Sequence, residues 1–304
     1  VKGKRALVTG ASGFIGSPLC RRLAEKGAEV HAVSRNKQPD AEGKIHWWQA
    51  DLADMAQVHR VMQSVKPNFV FHLASEVTGK RDLELVLPVF QSNLLSTVSL
   101  MTEAARQGCE RFLITGSLEE PDPGSPAVPC SPYAAAKWSA SGYARMFWEL
   151  YKLPTVIARL FMVYGPAQKD LAKLIPYTIL SLAKKEAPKF SSGQRPVDWI
   201  YVEDVVEGLV MAASAKGIEG GTLEFGSANL VRIREVVEEI VRLMGSAVKP
   251  LFGALADRPL EQVRVANAGE TFRQIGWKPQ VSLRNGLERT IEWYTRQSQM
   301  ETRR

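Results

Sequence analysis

The chain has 304 residues, 45% of them hydrophobic and 23% charged, a balance that describes a globular protein with one large core or two small ones and excludes a disordered tail or a collagen. Its formal net charge is +7, with much of the excess at the extreme ends in Lys2, Lys4, Arg5, Arg303 and Arg304. No Lys/Arg block carries interleaved aromatics, so no nucleic-acid partner is expected.

Residues 4–9 are a short aliphatic run followed at once by glycines and an amphipathic stretch over 18–26, which predicts strand, tight loop, helix. Strands are then expected at 29–34 and 45–49, a helix at 54–65 and a strand at 68–73. A helix over 93–107, a strand over 111–116, a long helix over 133–151 and a strand over 155–161 continue the alternation, which calls for a doubly wound parallel sheet. After Gly165-Pro166 prolines interrupt shorter elements: a strand at 199–202, then helices at 205–215, 232–244, 266–276 and 283–294, and a polar tail over 296–304. This half is expected to form a smaller, mixed domain. No apolar run approaches the ~18 residues of a spanning helix, and no signal-peptide core follows Val1, so a cytoplasmic chain without a membrane partner is expected. Cys20, Cys109 and Cys130 are too far apart for a C-x-x-C site and odd in number, so neither a metal nor a disulfide framework is expected.

Gly10-Ala-Ser12-Gly13-Phe14-Ile15-Gly16 falls between the first strand and first helix, where a pyrophosphate can rest on a helix N-terminus. Gly10 permits the turn, Gly13 lets a diphosphate approach, and Gly16 lets helix and sheet pack closely. The second strand ends Ser34-Arg35-Asn36-Lys37, without the Asp or Glu that usually holds the ribose hydroxyls of NAD. Arg35 could bind a 2′-phosphate, which favours NADP(H), with NAD(H) as the alternative if backbone groups alone hold the ribose. Tyr133 and Lys137 share one helical face, an arrangement suited to moving a proton. A tyrosine titrates near 10, and a neighbouring ammonium together with a positive nicotinamide ring is expected to draw it toward neutrality.

The glycine loop, a serine ending the intervening strand and the Tyr133/Lys137 pair, taken in order, resemble the extended short-chain dehydrogenase/reductase superfamily, specifically its enzymes of nucleotide-sugar metabolism. Further matches are Asp51-Leu52, His72-Leu-Ala-Ser75, Asn93 opening a helix, Arg159-Leu-Phe, Val163-Tyr-Gly-Pro166, Asp198-Trp-Ile-Tyr-Val-Glu-Asp204 and Ile275-Gly-Trp-Lys-Pro279, so the resemblance covers nearly the whole chain. It implies an α/β chain: a Rossmann-type doubly wound parallel sheet over 1–165, to which segments around 198–215 return, and a smaller mixed α/β substrate domain mainly over 166–295. It implies that Asp51 and Leu52 line the adenine, that Leu73, Ala74 and Ser75 border the ribose and diphosphate, and that Leu160 lies at the cofactor. Lys137 would bond the nicotinamide ribose, and Ser117 the reacting sugar oxygen.

Departures from the family pattern narrow the reaction. Dehydratases follow the catalytic Thr with Asp-Glu, whereas Ser117 is followed by Leu118, which is no acid, and Glu119, which matches the glutamate. The Gly-Ser-x-Glu-Glu stretch also looks like that of GDP-4-keto-6-deoxymannose reductases, and Ile175-Pro-Tyr, read as a loop, like that of abequose-synthase-type reductases. Met162 replaces an Asn that commonly contacts the nucleotide sugar. Val197 replaces an arginine, with Arg195 two residues back on the same strand face. Arg258 matches a second diphosphate arginine, and Glu76, Thr78, Lys80 and Arg81 fall where the sugar pocket is built. The leading expectation is an NADPH-dependent ketoreductase of an NDP-4-keto-6-deoxyhexose. The alternatives are a 4-epimerase of the UDP-galactose type, a dehydratase, and a non-catalytic dinucleotide sensor. The resemblance also implies a homodimer, because the helix from Tyr133 carries Trp138, Tyr143, Met146, Phe147 and Trp148, more apolar surface than one buried face needs.

Overall fold

A computed structural model describes residues 1–39, 45–121 and 127–302. Six strands, β1 (Arg5–Thr9), β2 (Glu29–Ser34), β3 (Ile45–Gln49), β4 (Phe69–His72), β5 (Arg111–Ser117) and β6 (Thr155–Leu160), form a parallel sheet in the order β3-β2-β1-β4-β5-β6. A strand not foreseen from the sequence, β9 (Thr222–Phe225), adds a seventh on the β6 edge. Both faces of the sheet are covered, which is why its central strands read as unbroken apolar runs such as Ala6-Leu7-Val8. On one face α1 (Gly16–Glu25) and α7 (Val202–Ser214) bury Leu19, Leu23, Val205 and Leu209. On the other, α2 (Met55–Val65), α4 (Ser96–Gln107) and α5 (Pro132–Tyr151) bury Val58, Met62, Leu100, Met101 and Phe147. The strand order reverses between β1 and β4, and their carboxyl ends open the crevice in which open α/β sheets bind ligands.

The helix expected over 93–107 begins much earlier, with a 3₁₀ turn at Leu83–Leu85, α3 (Val86–Val89) and a π-helical turn at Phe90–Leu95 ahead of α4. Pro88 removes a ladder donor and the chain absorbs it in irregular turns, so Asn93 lies within the helical stretch rather than opening it. Contrary to expectation, the stretch Leu83–Gln107 is long and apolar enough, by length and composition, to cross a membrane; here Leu100, Met101 and Ala104 are buried against the sheet.

A three-stranded sheet forms the smaller layer, with β8 (Pro196–Tyr201) parallel to β7 (Met162–Tyr164) and antiparallel to β10 (Leu230–Arg232). Helices α6 (Leu174–Ala183), α8 (Ile233–Leu243) and α10 (Leu283–Thr302) close a third core around Ile179, Trp199, Tyr201, Ile240 and Leu287. Ile175-Pro-Tyr is therefore helix, not loop: Pro176 sits in the first turn of α6, where its missing N–H would have had no helical partner. Of the second half, α7, β9 and α9 (Ala268–Ile275) pack on the large sheet. The expected tail from 296 instead extends α10 to Thr302, and its last two residues lie outside those described.

Candidate active site

At the end of β1, Gly10 turns with φ +64° and passes so close to the end of β4 that a Cβ would stand 2.7 Å from the Ala74 nitrogen. A Cβ on Gly16 would lie 2.1 Å from the Gly10 carbonyl oxygen, so α1 can begin against this loop only with glycine there. Helix α1 starts after Ile15 with no side-chain hydrogen bond capping it and no acid in its first turn. Ser17 N–H donates to the Gly13 carbonyl at 3.0 Å and Pro18 has no N–H, so what α1 offers an anion at the loop Ser12–Phe14 is chiefly its positive dipole end. One residue beyond Ala74, the Ser75 hydroxyl is buried with no hydrogen-bond partner among the described residues. An uncapped helix mouth beside an orphaned buried hydroxyl fits the diphosphate and ribose of a dinucleotide.

Ser34 closes β2 as a hydrogen-bonding hub, 3.4 Å from the Ser12 hydroxyl and accepting from Asn36 N–H at 3.3 Å. Arg35 and Asn36 are exposed beside it, and the Arg35 carbonyl accepts from Gln49. Asp51 is exposed after β3 and accepts from Ala53 N–H at 3.0 Å, while Leu52 is buried in the core on the α2 face. Leu73 and Ala74 flank the crevice partly buried, held by a relay that sequence reasoning did not assign. Ala74 N–H donates to the Thr9 hydroxyl, which lies 2.7 Å from His72 Nδ1; His72 Nε2 is 2.8 Å from Thr97, whose hydroxyl donates to the Asn93 carbonyl. That last bond makes Thr97 an acceptor for His72, so the proton sits on Nε2 and Nδ1 accepts from Thr9. Full burial pushes the His72 pKa down to about 3, with the Lys137 charge adding to the shift. Asn93 also grips the backbone of Glu76, its amide accepting from Glu76 N–H at 2.6 Å and donating to Glu76 O at 3.0 Å.

Ser117 ends β5 opposite Leu160 on β6, and Ser131 caps α5 so that Tyr133 and Lys137 occupy its first two turns. The Ser117 side chain lies beside the Tyr133 hydroxyl and lowers the phenol's proton affinity. Lys137 Nζ donates to the carbonyl and hydroxyl of Thr115 at 2.9 and 3.0 Å and lies 5.9 Å from the Tyr133 ring centroid. Ser117, Tyr133 and Lys137 are thus brought together, and in the chain alone the phenol is shifted up rather than toward neutrality. Burial lifts the Tyr133 phenol above its ordinary range, with Glu119 and Glu120 adding to the rise and Ser117 opposing it. Burial also lowers Lys137 to about 8, opposed by Glu120. Desolvation by burial is the largest cause of the Tyr133 shift, so the chain alone holds the phenol protonated. Glu119 is half-buried; its N–H donates to Ser117 Oγ at 3.1 Å and its carboxylate lies 3.7 Å from Cys130 Sγ.

On the substrate side, Met162 packs between two hydrophobic cores, which accounts for an apolar residue in place of an amide. The Glu76 side chain is exposed. Arg195 donates to the Gln262 carbonyl at 2.7 Å and pairs with Glu261 at 3.1 Å. Arg258 lies 4.0 Å from the same carboxylate, so the two expected diphosphate arginines converge on Glu261. The loop after β4 meets this segment: Arg81 donates to the Pro259 carbonyl, and a Cβ on Gly79 would stand 2.6 Å from Arg258 Nη1.

Comparison with known proteins locates the chain. The model of the NAD dependent epimerase/dehydratase family matches residues 6–226. Similar relatives include the dTDP-glucose 4,6-dehydratase of Salmonella typhimurium, 29% identical over 97% of this chain and 94% of the relative. The UDP-glucose 4-epimerase of Mycolicibacterium smegmatis is 31% identical over 97% of this chain and 100% of the relative. An epimerase structure from Methanothermobacter thermautotrophicus superposes with a TM-score of 0.88 at 26% identity, covering 99% of this chain and 95% of that one. The Thermus thermophilus UDP-glucose 4-epimerase complex with NAD gives 0.84 at 26% identity, covering 96% and 99%.

Proposed function

Because the chain belongs to the NAD dependent epimerase/dehydratase family, among the extended short-chain dehydrogenase/reductase enzymes, we propose that it is an NADPH-dependent ketoreductase acting on the 4-keto group of a nucleotide-diphosphate 4-keto-6-deoxyhexose. The observation that carries this reading is the end of β2, where Ser34, exposed Arg35 and Asn36 offer hydroxyl, guanidinium and amide and Ser34–Lys37 contains no carboxylate to repel a 2′-phosphate. A reductase draws on the cellular NADPH pool at each turnover, whereas an epimerase or dehydratase returns its hydride to the same molecule. A bound nicotinamide cofactor supplies the hydride to C4. Tyr133, held protonated by burial, donates its proton to the C4 oxygen, completing the hydroxyl. Ser117 Oγ accepts from Glu119 N–H and so keeps its own hydrogen for that same oxygen. Lys137, anchored on Thr115, balances the charge left on Tyr133. Arg195 and Arg258 supply the cations for the diphosphate.

A second reading, NDP-sugar 4-epimerisation, is favoured by the M. smegmatis relative and by the fold shared with the T. thermophilus UDP-glucose 4-epimerase. It uses the same Ser117, Tyr133 and Lys137. Dehydration is disfavoured by buried Leu118 at the acid position. The two readings separate on the dinucleotide released by denaturing the purified protein, identified by mass spectrometry. Partial or exchangeable NADP, followed by NADPH oxidation on a panel of 4-keto-6-deoxy sugar nucleotides, is the expected result. Near-stoichiometric NAD with interconversion of UDP-sugars would overturn reduction in favour of epimerisation.

The enzyme is further proposed to act as a homodimer. Phe147 packs inward, but Trp138, Tyr143, Leu150 and Tyr151 on α5 are exposed, as are Leu83, Leu87 and Phe90 on the helical stretch packed against it.

A further inference from the structure

Behind the catalytic trio lies a buried group of charges that nothing in the reaction uses directly. Glu120 follows the reacting serine by three residues, and its carboxylate is 0% exposed. One of its oxygens accepts from Ser117 N–H at 2.6 Å; Ser117 lies past the last β4–β5 pairing, His72↔Ile114, so the carboxylate takes an N–H that β4 is too short to reach. The other oxygen pairs with Arg159 at 3.2 Å. Arg159 pairs with Glu224 on β9 at 3.0 Å, and Glu224 with Arg264 at 3.0 Å, giving an alternating quartet of low exposure. A cavity lined by Arg159, Glu224 and Arg264 opens on this group. Burying a carboxylate costs several kcal/mol unless it is paired and hydrogen-bonded. Retaining one beside the active serine, where Gly116 leaves room for it at a point a Cβ would approach to 2.6 Å, marks it as more than filler.

We propose that Glu120 is a positioning residue for the reaction: locked by Arg159, its carboxylate fixes the backbone of Ser117 so that the serine hydroxyl meets Tyr133. It acts from behind the strand and touches neither substrate nor cofactor. The inference rests on the roles proposed above for Ser117, Tyr133 and Lys137. A second consequence follows from its charge, which raises the proton affinity of both Tyr133 and Lys137. The charged groups around it are Arg159 on β6, Glu224 beyond it on β9, Glu119 beside it, and Lys137 on α5.

Two variants of the full chain separate reach from charge. Glu120→Asp keeps the charge but withdraws it from Ser117; Glu120→Gln keeps an acceptor at the same reach and removes the charge. The first is expected to raise deuterium exchange at the Ser117 amide about tenfold in the cofactor-free chain and to lower kcat about tenfold with KM unchanged. The second, in which the amide oxygen still accepts from Ser117 N–H but the ion pair with Arg159 is lost, is expected to raise exchange less than the first and to move the alkaline fall of the kcat profile to lower pH by about half a unit or more. Turnover is read with the sugar nucleotide most active in the NADPH-oxidation panel. Native exchange in Glu120→Asp, or a Glu120→Gln profile that superimposes on the native one, would overturn the proposal. If Tyr133→Phe is as active as the native chain, the underlying reading of the reaction fails instead, and the exchange measurement still reports on Glu120 by itself. Should Glu120→Asp not fold, Arg159→Lys, which loosens the lock without removing either carboxylate, is expected to raise Ser117 exchange in the same direction; native exchange there also overturns the proposal.

Discussion

Tyr133 is protonated at neutral pH, and burial shifts its phenol further in that direction. Tyr133→Phe preserves the ring packing and removes the hydroxyl, so kcat is expected to fall about 10²–10⁴-fold while KM and dinucleotide binding change little. Steady-state kinetics and cofactor titration check both halves of that statement. His72 bears on stability rather than on chemistry. Its folded pKa of about 3 lies below the ordinary 6.5, so between these values the unfolded chain binds a proton that the folded one refuses. Stability present above pH 6.5 is therefore lost as pH falls toward 3, with a limiting slope of about 1.4 kcal/mol per pH unit for one proton. His72→Asn, which retains a donor and an acceptor, is expected to lose that component of the slope in urea titrations across the window. Neither His72 nor Glu120 was assigned a role from sequence, although the glycine loop, Ser117, Tyr133 and Lys137 were. The loop and the Tyr-Lys pair are local patterns, whereas His72 acquires meaning from Thr9 and Thr97, and Glu120 from Arg159.

Elements show the same division between local and distant causes. β1, β2, β3 and β5 were legible because each is an apolar run bounded by turn residues, and α2 because Asp54 caps it by accepting from Ala56 and Gln57 N–H. β7 and β10, at three residues each, carry too little periodicity to read, and β9 depends on an edge that β6 provides only after folding. The irregular stretch from Leu83 through α4 was legible only in part, since Pro88 breaks the pattern. Along that stretch and α5 the apolar side chains Leu87, Phe90, Leu150 and Tyr151 are exposed, and they are proposed to lie in the dimer face. A Leu87→Glu/Leu150→Glu double variant puts charge into this face without touching the crevice, and light scattering is expected to show a mass near 34 kDa against a dimer for the native chain. A native chain that is already monomeric would refute the assignment of the face.

At the scale of the whole molecule, the smaller layer is tied to the large sheet by two buried carboxylates on either side of the β8–α7 junction, one within β8 and one in the first turn of α7. Asp198 accepts from the N–H groups of Ser227, Ala228 and Ala266 at 2.6, 3.1 and 3.0 Å and from the Ser227 hydroxyl at 2.8 Å, joining β8 to the chain that leaves β9 and the chain that enters α9. Asp204 accepts from Gln280 and Val281 N–H, both at 3.0 Å, pinning the approach to α10. Burial holds both carboxyls above the ordinary range, so as pH falls the folded state takes up their protons first and these groups do not contribute to acid loss; that separates them from His72. Their work is at neutral pH, where each carboxylate satisfies backbone donors that would otherwise be buried unpaired. Asp198→Ala removes four hydrogen bonds at once, three of them from backbone donors, and is expected to cost about 3 kcal/mol, whereas Asp204→Ala, removing two, costs less. Because the segment after Ala266 loses its anchor while the glycine loop does not, deuterium exchange in the Asp198 variant should rise over 222–228 and 266–276 and stay native over 5–16. Dinucleotide affinity should persist while affinity for the sugar nucleotide drops, since Arg195 and Arg258 meet at Glu261 just upstream of the released segment. Uniform loss of protection across both layers would show instead that the two sheets fold as one cooperative unit.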